Sequence, residues 1–171
     1  MSSSVLSLLL LLVFPSLTLS QAQTEVKAVS GIVSGEVQKV GFRAMILKQA
    51  IHLNLAGQVE NLKDGTVHFT LQGAEDRIQK ALANIGEGTK KSAAVRITTS
   101  AAPFNPALKT FTVIGWTSTT RGVTSPYNLV FTLRSDNLPV SDREAKKIYR
   151  EILERTLSPA DLKKSRDPDN E

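Results

Sequence analysis

Apolar residues along this chain recur with two rhythms, every second residue or every third to fourth, and the alternation between them predicts the order of elements. Val and Ile dominate residues 25–34, where Gly31 is the one turn residue, and a strand is expected. Phe42, Met45, Ile46, Ala50 and Leu53 then fall on one face of a helix. Residues 56–61 are short and strand-like. Lys63-Asp64-Gly65 carries hairpin chemistry, since Gly65 tolerates the positive φ of such turns. Val67, Phe69 and Leu71 alternate with His68, Thr70 and Gln72, the pattern of a half-buried strand. Glu75 and Asp76 favour the positive end of a second helix, whose inward residues are Ala74, Ile78, Ala81, Leu82 and Ile85 before Gly86 and Gly88 end it. Val95 and Ile97, then Phe111 and Val113, mark two further strands on either side of a loop with Pro103 and Pro106.

The order strand, helix, two strands, helix, strand, strand implies an α+β protein. The expected arrangement is a ferredoxin-like two-layer sandwich, an antiparallel sheet with two helices on one face. Beyond Trp116 the pattern changes. Residues 117–124 are polar and expected to be loose, and residues 128–134 alternate as a sixth strand. Ser141-Asp142-Arg143-Glu144 is a capping-box pattern opening a helix with Ala145, Ile148, Ile152, Leu153 and Leu157 inward. Glu151 and Arg155 are spaced as an outward pair. Ser158-Pro159 ends that helix, and residues 163–171 have the composition of a disordered tail. The expected division is thus a main domain at 24–115 and a strand-helix extension at 116–162. Trp116 and Tyr127 would anchor the extension to the core, and it shows no chemistry of its own.

The first residues belong to neither part. Residues 5–14 are an almost unbroken apolar run followed by small and polar residues through Thr24, as in a secretory signal, although the start lacks Lys or Arg. Residues 1–22 are therefore expected to be removed, with cleavage after Ser20 or Ala22, leaving a secreted or periplasmic chain with no stable membrane span. Ten apolar residues are too few to cross a bilayer comfortably. The chain has no cysteine, which excludes disulfides and thiolate metal sites. Its net charge is +5, with 11 basic and 7 acidic residues before Gly115 and 10 and 9 after it. A surplus of this size fits an anionic small molecule or weak attraction to polyanions. Nucleic acid is not expected, because no clustered basic stripe interleaved with aromatics is visible.

The segment with most chemical content is residues 33–43, Val-Ser-Gly-Glu-Val-Gln-Lys-Val-Gly-Phe-Arg. It joins a strand to a helix N-terminus. Successive N–H groups in such a loop can form a concave anion nest, and the helix adds its own unpaired N–H groups. Arg43, in the first helical turn, offers a planar charged fork suited to phosphate oxygens. Spacing alone favours a plain glycine-containing connection followed by a surface arginine, and the Gly-Lys-Ser/Thr ending of a P-loop is missing. Asn61, taken alone, reads as a turn residue capping the following hairpin. His52 and His68 have no paired carboxylate or second ligand at metal spacing and read as structural.

Residues 35–43, read as Gly35, Glu36, Val37, Gln38, Lys39, Val40, Gly41, Phe42 and Arg43, resemble the first signature of the acylphosphatase family, a Gly-x-Val-Gln-Gly-Val-x-Phe-Arg run. Gly57, Gln58, Val59, Glu60 and Asn61, with Gly65, Val67 and Gly73, resemble its second. The resemblance spans about residues 25–115 and implies hydrolysis of small-molecule acyl phosphates to a carboxylate and phosphate. It further implies a monomer that needs no metal or cofactor. Arg43 and the N–H groups of Gly35, Glu36, Val37, Gln38, Lys39, Val40, Gly41 and Phe42 would hold the phosphoryl group, and Asn61 would position the attacking water. The leaving group is a carboxylate, already a weak base, so no strong general acid is required. Three positions depart from the family pattern: Lys39 stands for a glycine, Gln58 for an aromatic residue and Glu60 for a base. A lysine forced to positive φ at 39 would be strained by roughly 1 kcal/mol. These departures keep open a second expectation, a non-catalytic secreted phosphate- or anion-binding module of the same fold.

Overall fold

The computed structural model describes residues 25–165. The expected export segment, residues 1–22, and residues 166–171 of the expected tail lie outside them. The elements are β1 (Val26–Glu36), α1 (Phe42–Leu53), β2 (Ala56–Asn61), β3 (Val67–Ala74), α2 (Glu75–Glu87), β4 (Ala93–Ala101), β5 (Thr110–Ser118), β6 (Val123–Thr132), α3 (Asp142–Thr156) and α4 (Pro159–Ser165). One six-stranded sheet runs β4-β1-β3-β2-β5-β6. The α+β sandwich read from the sequence is the architecture of the chain.

The sheet is mixed rather than wholly antiparallel. β1 pairs antiparallel with β3 and β4, and β2 with β3, but β2 and β5 run parallel, Val59 standing opposite Val113. Residues 102–109 cross from one edge of the four-strand unit to the other, so β5 arrives beside β2 in the same direction. The pairing spans residues 57–59 against 111–113 and ends just before Asn61 and Gly115, which lie at the same end of the two strands. This long-range pairing sets the site.

α1 buries Phe42, Ile46, Leu47, Ala50, Ile51 and Leu53, a stripe that faces the sheet and its helical neighbours. Its C-terminal residue Asn54 adopts φ 53° and donates its N–H to the carbonyls of Ala50 and Ile51. The Asn54 side chain accepts from the Arg134 N–H at 2.9 Å and donates to Asn137 at 3.1 Å, tying the end of α1 to the extension.

The extension completes the core rather than hanging from it. α1 packs against both α2 and α3, and α3 also packs on β6. Val123, Leu129, Phe131, Ala145, Ile152 and Leu153 join the same buried cluster as the α1 residues. Each of the larger side chains contributes roughly 1.5–3 kcal/mol on leaving water. Residues 117–124, expected to be loose, are ordered: β5 continues to Ser118, a 3-10 turn spans Thr119–Arg121, and Ser118 pairs with Val123. Hairpin pairing satisfies backbone groups that the polar composition alone would have left to water. Ser141 caps α3 by accepting the Glu144 N–H at 3.2 Å, as its sequence pattern predicts. Tyr149 is more deeply buried than Ile148 on that helix. The Glu151–Arg155 pair is not formed; Glu151 meets Lys147 at 3.9 Å and Arg155 donates to the Val130 carbonyl. Lys163, Lys164 and Ser165, expected in a disordered tail, continue α4.

Candidate functional site

Between β1 and α1 the chain turns through residues 37–41. Lys39 has φ 60° and Gly41 has φ 75°, both in the left-handed region. Such conformations bring successive N–H groups onto one concave side. The N–H groups of Gln38, Lys39, Val40 and Gly41 donate to no group among the described residues. Gly41 is also the N-cap of α1, with no side-chain cap and no acidic residue in the first turn. The helix end is thus left open to an anion. Two tethers hold the loop: the Gln38 amide donates to the carbonyls of Leu62 and Thr66 at 2.8 Å each, and the Thr89 hydroxyl donates to the Val40 carbonyl at 3.1 Å.

Arg43 lies half-buried in the first turn of α1, and burial pulls its guanidinium below the usual value. An arginine stays cationic through such a shift. Its Nη1 donates to the carbonyls of Ile114 at 2.9 Å and Gly115 at 2.6 Å. These carbonyls converge because β5 bulges here. Three steps from Val113 to Trp116 match two steps from Leu129 to Tyr127 on β6, leaving one residue unpaired. Gly115 takes φ 62° and donates its N–H to Asn128 Oδ1 at 3.0 Å. With Nη1 fixed by the bulge, the rest of the fork is available to a ligand.

Asn61 closes β2. It does not cap the hairpin; Asp64 does, accepting from the Thr66 N–H at 3.0 Å and hydroxyl at 2.7 Å. The Asn61 Oδ1 is buried without any hydrogen-bond partner among the described residues. A buried acceptor in that condition costs on the order of 1–3 kcal/mol unless a ligand or water meets it.

One cleft of about 890 Å³ collects these groups: Gln38, Lys39, Val40, Gly41, Arg43 and Asn61 all line it. The other residues expected to bind substrate do not. Gly35 and Glu36 belong to β1, where Glu36 pairs with Ala93 of β4, and Val37 and Phe42 are core residues, 1 % and 2 % exposed. An added Cβ on Gly35 would come within 2.4 Å of the Ala94 carbonyl, so that glycine serves strand packing. His52 and His68 do face carboxylates, Asp142 at 3.5 Å and Glu60 at 3.6 Å, contrary to the sequence reading. Among the described residues no cluster of three or more His, Asp or Glu side chains could hold a metal.

A sequence profile described as Acylphosphatase matches residues 29–113. The acylphosphatase of Methanocella arvoryzae is 47 % identical over 62 residues, 36 % of this chain and 70 % of that one. That of Chlorobaculum tepidum is 34 % identical over 88 residues, 52 % of this chain and 96 % of its own. The chain belongs to the acylphosphatase family. A crystal structure of the acylphosphatase from Bacillus subtilis aligns with 51 % of this chain and 96 % of that chain, at 29 % identity and a TM-score of 0.48. Membership makes the chain a hydrolase, an acylphosphatase, as the resemblance implied.

Both Arg43 and Asn61 lie inside the stretch matched to the acylphosphatase profile. The sequence reading missed three contributors outside or beside it. The first is the bulge at Ile114 and Gly115, which an isolated glycine near the end of a strand could have flagged. The second is Asn128, for which no local pattern gives a signal. The third is α3, whose Lys146, Tyr149, Arg150 and Leu153 wall the cleft although the extension was expected to carry no chemistry. Burial pushes the Tyr149 hydroxyl up to about 12, against the opposing effects of Arg121 and a hydrogen bond with Trp116. Lys48 Nζ stands 4.8 Å from the centre of the Tyr149 ring. Trp116 thus both anchors the extension and lines the cleft, while Tyr127 anchors α4 through Asp161 at 2.8 Å.

Proposed function

We propose that the chain hydrolyses acyl phosphates with Arg43 and the N–H groups of residues 38–41 holding the phosphoryl oxygens and Asn61 Oδ1 positioning the attacking water. The observation that carries this reading is the buried, unpartnered Asn61 Oδ1 in the same cleft as the open N–H groups and the Arg43 fork. In this reaction the water oxygen bonds to phosphorus as the phosphorus–acyl oxygen bond breaks. The electron pair leaves with the carboxylate, and the water proton passes to phosphate or solvent. The Asn61 amide oxygen accepts a hydrogen bond from that water and fixes its line of attack; it removes no proton. Arg43, the loop and the α1 N-terminus offset charge gathering on the equatorial oxygens, where phosphoryl transfer most needs it.

The test is hydrolysis of benzoyl phosphate by the purified chain beside Arg43→Gln and Asn61→Ala. Turnover should fall by about 10³ or more in Arg43→Gln, comparable with the loss of a transition-state arginine. Equal turnover by all three proteins would sink the site assignment. Phosphate binding without turnover in the wild type would favour the anion-binding module instead. Export to the periplasm or beyond, read from residues 1–22, belongs to the same proposal; an amino terminus at residue 21 or 23 in material recovered from an exporting cell would support it.

A further inference from the structure

The wall that α3 contributes to the cleft is basic, beyond the needs of one phosphoryl group. Basic residues lining the cleft outnumber acidic ones eight to one, the single acid being Glu154. Lys146 and Arg150 are one helical turn apart on α3, beside the inward Tyr149 and Leu153. Lys39 and Lys90 line the same cleft from the β1–α1 and α2–β4 loops. Lys39, Lys90, Lys146 and Arg150 form no ion pair among the described residues. Lys147, next to Lys146 but outside the cleft, lies 3.9 Å from both Glu144 and Glu151. Lys39, Lys90, Lys146 and Arg150 thus bring unpaired positive charge to the face that looks into the site.

A phosphoryl dianion is already met by Arg43 and the open helix end. Lys39, Lys90, Lys146 and Arg150 repel one another until something anionic enters between them. That something is not a stacked base, since the cleft's aromatic residues Trp116 and Tyr149 are only 4 % and 8 % exposed and offer no platform. The family profile ends at residue 113, so α3 is this chain's own addition to the matched stretch.

We infer that Lys146 and Arg150 form an anion subsite for the acyl part of the substrate, so that the chain prefers acyl phosphates whose acyl group carries a second negative charge. The inference rests on the hydrolase reading above but can be read without turnover. Calorimetry compares two non-hydrolysable ligands, 4-phosphonobutyrate, which carries a carboxylate beyond its phosphonate, and butylphosphonate, which does not. The wild type should bind the first about tenfold more tightly, as expected for two partly exposed ion pairs, and less so at high salt. Lys146→Gln/Arg150→Gln should lose that preference. Arg143→Gln/Lys147→Gln, with the same change in net charge but outside the cleft, should keep it. Turnover should follow, the ratio of kcat/KM for succinyl over butyryl phosphate falling about tenfold in the first pair alone. Equal binding of the two phosphonates by the wild type, or equal losses in both double variants, would overturn the subsite. A retained binding preference without hydrolysis of either acyl phosphate would overturn the hydrolase reading and leave the subsite standing.

Discussion

Replacing Asn61 by alanine separates a catalytic from a structural role, because the two readouts should move in opposite directions. The Asn61 Oδ1 is buried and accepts no hydrogen bond within the described residues, so truncation breaks no such bond there. A buried acceptor left in that state costs roughly 1–3 kcal/mol, and a water held in the cleft recovers part of it. Removing the amide should therefore stabilise the fold by between zero and about 1 kcal/mol. For a domain of this size that is a rise in Tm of at most about 3–4 °C. Turnover should respond the other way. A water without its positioning acceptor loses orientation, and kcat for benzoyl phosphate should fall by about 10²–10³. KM and inhibition by inorganic phosphate should stay within about twofold, because Arg43 and the loop N–H groups are untouched. Thermal unfolding followed by circular dichroism, together with loss of benzoyl phosphate absorbance, measures both. A Tm lowered by more than about 5 °C with kcat within tenfold of wild type would refute the reasoning and make Asn61 a hairpin residue.

Further predictions concern the groups around it. Asn128→Ala removes the acceptor for the Gly115 N–H, which should cost about 1 kcal/mol and loosen the carbonyls that hold Arg43. Phosphate inhibition should weaken several-fold in that variant and return in Asn128→Asp; a loss of stability with unchanged inhibition would detach Asn128 from the site. Lys39→Gly relieves about 1 kcal/mol of left-handed strain at φ 60° but adds a similar entropy to the unfolded chain. Its Tm should stay within a few degrees while phosphate affinity falls about two- to threefold, as in Lys39→Gln. If Lys39→Gln keeps full affinity, the lysine charge does not act on the phosphate. The Tyr149 hydroxyl, raised from 10.0 to about 12 by burial, keeps its proton in the folded chain over a range where the unfolded chain has lost it. Its contribution to stability is present in full below about pH 10 and declines by up to about 1.4 kcal/mol per pH unit as pH rises towards 12. Urea unfolding from pH 9 to 12 should therefore be steeper in the wild type than in Tyr149→Phe. Parallel curves would show that Tyr149 does not titrate in this range.

The elements, the loop and the two central residues were legible in the sequence because each rests on short-range regularity. Periodicity identified β1, α1, β2, β3 and α2, and the glycines around residues 35–43 marked a strand-to-helix loop. Arg43 and Asn61 could be singled out because a family signature is also a local pattern. Whether the two face one cleft was not readable, since nothing local specifies that β5 returns parallel to β2, with Asn61 and Gly115 at the same end of the two strands. The same holds for the narrowing of the loop to residues 38–41: Val37 and Phe42 turn into the core while the residues between them stay outside. The basic cleft is the clearest case. Its cations are scattered from Lys39 to Arg150, with no run or stripe in the chain, and they face one another only because α3 packs on α1. Most backbone conformation follows from neighbours within a few residues, so the sequence determined it, whereas residues 117–124 took their order from pairing between β5 and β6. The convergence of side chains from distant segments follows from the burial of shared apolar faces, so only the tertiary structure decided it.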